Sequence, residues 1–155
     1  MGDYLGTREE LGDWVSPKVE SWAHRLRTIA KISKRYPQLA YAGLYVSLQL
    51  EWQYLQRTVP GVGYIMVPIE DFLREAFSTA LFGREEVSAD LRKILGHSVK
   101  RGGLGIPYPR MSVDLAYNTS KAASEILVSS LLGYTNLNYV THKGCVRRAI
   151  TDGQK

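Results

Sequence analysis

The sequence predicts an all-α protein, a helical bundle built on a long antiparallel helix hairpin. Three observations carry this. Val15, Val19, Trp22, Leu26 and Ile29 recur every three or four residues, the period of one helix face. Residues 38–57 hold Leu39, Ala42, Leu44, Val46, Leu48, Leu50, Trp52 and Leu55 and read as a helix apolar nearly all round, hence a central one. Strand-like alternation is scarce elsewhere. Tyr36-Pro37 hinges the pair, because a proline disfavours helical backbone in the residue before it.

The remaining elements follow from punctuation. Thr7, with Glu10 three residues on, forms a capping box for a short helix that ends at Trp14 and Val15. Ser16-Pro17 restarts the chain as N-cap and first helical residue, and that helix ends at Arg35. Pro60, Gly61 and Gly63 break the second helix. Pro68 opens a third, with Glu70 and Asp71 complementing the dipole of its first turn, and Gly83 stops it. Ser88 caps a short helix over Leu91, Ile94 and Leu95, stopped by Gly96. Residues 97–110 hold too much Gly and Pro for a regular helix. Ser112 caps a fifth helix that Gly133 ends, and residues 140–150 form a last basic one. Residues 135–139 are expected as loop, and 151–155 as a frayed end.

Length and composition bound the function. The 155 residues suit one domain, and 45% hydrophobic residues fill a real core. The net charge of +5 permits a polyanionic partner without requiring one. One cysteine, Cys145, excludes an internal disulfide and suits a reducing, intracellular compartment. Residues 1–12 lack the pattern of a signal peptide, and no uncharged apolar run is long enough to span a membrane.

Catalytic constellations are incomplete. Neighbouring Glu70 and Asp71 point about 100° apart on a helix and do not converge on a metal; dipole compensation explains them better. His142 and Cys145 supply half of a structural zinc's ligands, and His24 and His97 lie far away in sequence. The glycines of residues 101–107 lack the lysine of a phosphate loop. No serine sits in a nucleophile elbow. No metal, cofactor or small-molecule substrate is expected, and no catalytic residue is assigned.

The basic face of the first long helix remains. His24, Arg27, Lys31, Lys34 and Arg35, extended by Arg57, form a stripe suited to a phosphate backbone. Lys100 and Arg101 add charge beside the Gly-rich segment. The bland reading of such a stripe is an ordinary solvated face.

Three segments bear on that choice: AKISKRYPQLAYAGL from Ala30, LEWQYLQRTVP from Leu50 and VKRGGLGIP from Val99. Their order and spacing resemble the region after the catalytic palm in reverse transcriptases of eukaryotic retroelements, where a Tyr-Leu-Gly segment closes the palm, as Tyr4-Leu5-Gly6 would here. The resemblance covers roughly residues 4–132. It implies a thumb or connection region that grips the primer–template duplex. It also implies that fingers, palm and catalytic aspartates lie in a parent polymerase, outside this chain. The expected layout is a piece of a larger polyprotein: residues 1–6 as palm remnant, 7–96 as thumb-like core, 97–111 as connection and 112–150 as C-terminal helices. The expected function is noncatalytic, weak, sequence-independent contact with an RNA or DNA duplex. The rival is a helical protein–protein interaction module that binds no nucleic acid.

Overall fold

In a computed structural model of the chain, residues 4, 6, 7, 9–83, 85–106 and 108–152 are described. The fold is an all-α helical bundle, and no strand occurs among the described residues.

Helix α1, Leu11–Ser33, is one continuous rod, where the sequence reading has a short helix followed by a restart at Ser16-Pro17. Ser16 is not an N-cap: its hydroxyl donates to the Gly12 carbonyl at 2.7 Å. Pro17 sits inside the helix with its ring exposed. An internal proline removes one backbone bond. Burial of Leu11, Val15 and Val19 on the same seam, spanning the proline, holds the helix through it. The Thr7–Glu10 box does form, with both reciprocal bonds at 3.4 Å, but on the turn before α1 rather than inside a helix. Tyr4 and Gly6 are in no strand; Leu5, like residues 1–3, lies outside the described residues.

After the break at Tyr36 the chain is helical from Pro37 to Thr58: α2 (Pro37–Gly43), a π-helical turn (Leu44–Leu48) and α3 (Gln49–Thr58). Ala40, Leu44, Leu48, Trp52 and Leu55 are buried. They meet the α1 seam of Val19, Trp22 and Leu26 in one core, with Trp22 and Trp52 edge to face at 6.4 Å between centroids. Gly43 faces Ile29, about two turns further along α1 than Trp22. This helix is not enclosed all round. Leu39, Val46 and Leu50 are 65%, 67% and 54% exposed, an apolar stripe on the outer side.

A 3₁₀ turn (Val62–Met66) leads into α4 (Val67–Phe72), a second π-helical turn (Leu73–Phe77) and α5 (Ser78–Phe82). These correspond to the third sequence-predicted helix, with Pro68 in its first turn and Gly83 ending it at φ 61°. Ile69, Leu73 and Phe77 face α1 and are fully buried. Helix α6, Ala89–Gly96, is capped by Ser88, whose hydroxyl accepts from the Leu91 N–H at 3.3 Å. It turns Arg92 and Leu95 inward and leaves Ile94 half exposed.

Helix α7, Val113–Leu131, packs on α3 and on α8, Tyr139–Asp152. Ser112 stands at the α7 N-cap position but makes no cap, because its hydroxyl donates to the Gln56 side chain at 3.3 Å. Asn138 caps α8, accepting from the N–H groups of Val140 and Thr141 at 3.0 and 3.1 Å. Thr151, expected to fray, is helical and bonds the Arg147 carbonyl; residues 153–155 lie outside the described set.

The segment between α6 and α7 is a strap. It begins with a 3₁₀ turn, Val99–Arg101. The N–H groups of Leu104 and Ile106 then both donate to the Leu95 carbonyl, at 3.3 and 3.0 Å. On its other side, α2 and α3 reach across. Tyr41 donates to the Leu104 carbonyl at 2.6 Å, Gln49 to Gly105 at 3.0 Å and Gln56 to Pro109 at 2.6 Å. An extended segment cannot satisfy its own carbonyls, so side-chain donors supply the partners.

Candidate nucleic-acid interface

Four of the seven sequence-predicted contact residues lie at the C-terminal half of α1 or just beyond it. Arg27, Lys31, Lys34 and Arg35 are all exposed. Among the described residues, none of the four has a carboxylate within 4 Å. Their packing is on rings: the Arg27 guanidinium lies 4.8 Å from the Phe72 centroid, and that of Arg35 lies 5.3 Å from Tyr36. Lys31 and Lys34 sit at the negative end of the helix dipole, a favourable place for cations. His24 is exposed one turn earlier.

Arg27, Lys31 and Lys34 also border a groove of about 910 Å³ between α1 and the α4–α5 rod. The other three predicted residues are elsewhere. Arg57 lies at the far end of α3, bordering a separate cleft of about 500 Å³ with Ser112, Leu115 and Ala116. Lys100 and Arg101 are exposed on the 3₁₀ turn after α6. The structure therefore gathers three cations at one groove, keeps Arg35 beside them in sequence, and does not bring in Arg57, Lys100 or Arg101.

Two of the carboxylates are held in specific networks, while Glu85 lines the groove itself. Glu51 accepts from Arg25 through both oxygens, at 2.6 and 2.7 Å, and from the Trp22 indole N–H at 2.9 Å. The Arg25 bonds lead in holding its carboxyl below the ordinary carboxylate value, against an opposing effect of burial. Glu70 does more than compensate a helix dipole. It forms a two-bond pair with Arg92, Nε to Oε1 at 3.0 Å and Nη2 to Oε2 at 2.8 Å. The same guanidinium donates to the Ile106 carbonyl at 2.8 Å and stacks 4.1 Å from the Tyr108 centroid. Burial raises the Glu70 carboxyl above its ordinary value, with Arg92 pulling the other way.

Sequence reasoning missed Arg92, Glu51 and the donors Tyr41, Gln49 and Gln56. For the last three a signal exists: intervals of eight and seven residues draw a polar line down an otherwise apolar helix. For Arg92 the signal is weak, since an arginine between Leu91 and Leu95 looks like a boundary residue.

His142 and Cys145 share one face of α8, and Cys145 Sγ lies 3.7 Å from Arg148 Nη2. Among the described residues, no three His, Cys, Asp or Glu side chains gather to hold a metal ion, and no helix is long and apolar enough to cross a membrane. Comparison with known proteins finds no family model, no curated protein and no solved structure that matches this chain.

Proposed function

We propose that the chain is a noncatalytic helical module that contacts the backbone of a nucleic-acid duplex through the basic end of α1. One observation carries the reading. Arg27, Lys31, Lys34 and Arg35 are exposed cations that follow one another along a rigid element, and no described carboxylate pairs with them. Arg25, two residues before Arg27, is tied to Glu51 and serves as the contrast. Phosphate contact of this kind positions a duplex without reading its sequence. The resemblance to the region beyond the palm of retroelement reverse transcriptases supports the same reading, in which the module would be a thumb beside a primer–template.

Reversing Arg27, Lys31 and Lys34 to Glu tests it. The three are exposed, so the helical spectrum and melting point should stay close to those of the wild type. Fluorescence anisotropy with a labelled RNA–DNA hybrid at low salt should show binding by the wild type and none by the variant. Equal binding by both proteins would remove α1 from the interface.

A second reading, an interaction module without nucleic acid, draws on the outer stripe of Leu39, Val46 and Leu50. Exposed apolar stripes of this kind mark protein contact surfaces. Hybrid binding by neither protein would favour it.

A further inference from the structure

The groove beside α1 has features that phosphate contact does not use. Its floor is built from Ala30 on α1 and Ala76 and Ala80 opposite, Phe72, Leu81 and Phe82 add apolar wall, and Glu85 is the one carboxylate among the described lining residues, against three cations. Its hydroxyl protons are already donated within the helices. Ser33 is bonded to the Ala30 carbonyl at 2.8 Å, and Thr79 to the Glu75 and Ala76 carbonyls at 2.6 and 3.0 Å. Among the described lining residues, no hydroxyl proton is thus left to donate to a base edge.

A trough between two helices with alanines along its base lets a third helix approach closely and pack ridge into groove. Arg27, Lys31 and Lys34 follow one another at intervals of four and three along one border, a helical line of positive charge. We propose that this groove receives an amphipathic helix from a protein partner. The helix lays its apolar face on Ala30, Ala76 and Ala80 and its carboxylates along Arg27, Lys31 and Lys34. Helix-in-groove recognition uses this division: apolar anchors for affinity, charge for orientation and choice of partner. Because the cations are shared, a partner seated in the groove competes with a duplex for the same end of α1.

The test uses two synthetic helical peptides with leucines at helix-face spacing, one carrying glutamates along one flank and the other lysines there. Both are labelled and titrated with the full chain by anisotropy. The glutamate peptide should bind at least about tenfold tighter, the ratio that ~1.4 kcal/mol of charge complementarity gives. Ala80→Trp fills the trough and removes none of the three cations. It should weaken the glutamate peptide by at least about tenfold, again ~1.4 kcal/mol, and leave hybrid binding unchanged. Lys31→Glu with Lys34→Glu, both at exposed positions, should transfer the preference to the lysine peptide, which decides the matter even if the Trp variant fails to fold. Equal binding of the two peptides overturns the proposal, as does a folded Ala80→Trp that binds the glutamate peptide like the wild type. So does single-strand binding that displaces the glutamate peptide and is lost in Ala80→Trp, because the groove then serves nucleic acid. Loss of hybrid binding with retained peptide binding would count against the duplex reading alone.

Discussion

Arg92 is 1% exposed and permanently charged, so its surroundings must answer for every one of its donors. Both Glu70 oxygens and the Ile106 carbonyl take three of the five N–H groups, and the face of Tyr108 lies against the guanidinium plane. Such a pair adds little net stability over an apolar packing, yet breaking it strands a buried charge. Glu70→Leu and Arg92→Leu should each cost about 3–5 kcal/mol, and the double variant less than their sum. Urea unfolding of the four proteins checks this; additive losses would mean the two side chains do not act as a pair. Glu51 behaves differently, being partly exposed and held ionised chiefly by Arg25. A carboxyl lowered in the folded state stabilises above its unfolded pKa, and that contribution fades as pH falls through the folded value. The gap between the urea midpoints of wild type and Glu51→Gln should therefore be wider at pH 7 than at pH 3. An equal gap at both pH values would exclude the charge as the cause.

At the scale of elements, the strap is what the sequence least reveals. Glycines and prolines say only that residues 97–110 are irregular. Which carbonyls meet Tyr41, Gln49 and Gln56 depends on how α6 and α2–α3 are spaced, and no local pattern encodes that. Gly103 shows how tight the passage is, since a Cβ there would overlap the carbonyl oxygens of His97 and Ile94, which are backbone and cannot step aside. Gly102, its neighbour at φ 79°, has open space around the same position. Gly103→Ala should thus cost about 3 kcal/mol, the upper end of overpacking losses, whereas Gly102→Ala should cost only the ~1–2 kcal/mol of a left-handed backbone. Thermal unfolding of the two variants ranks them, and a milder Gly103→Ala would contradict the strap as described. The helices themselves were legible where apolar spacing and caps agreed, as at Ser88 and Gly83. The reading failed where a single local signal stood against burial. Ser16-Pro17 has the chemistry of a helix start, yet the buried seam from Leu11 to Val19 runs straight past it.

For the whole molecule, the sequence made the all-α class and most of the core plain, because an apolar residue every third or fourth position has few other uses. The outer stripe was misjudged for the same reason. Leu39, Val46 and Leu50 count as apolar wherever they point, and only the packing shows that no described element covers them. The candidate interface was legible in part: Arg27, Lys31 and Lys34 come together as their helical spacing requires, while Arg57, Lys100 and Arg101 are placed by tertiary structure. Duplex contact through the end of α1 is the central claim, and its signature is counterion release. The direct measurement is the affinity for a labelled duplex DNA across a salt series. Wild type should fall on a log–log line with a slope near −0.9 for each phosphate neutralised, so about −3 to −4 for the three or four cations at this site. A slope near zero, or binding as strong at high salt as at low, would contradict it.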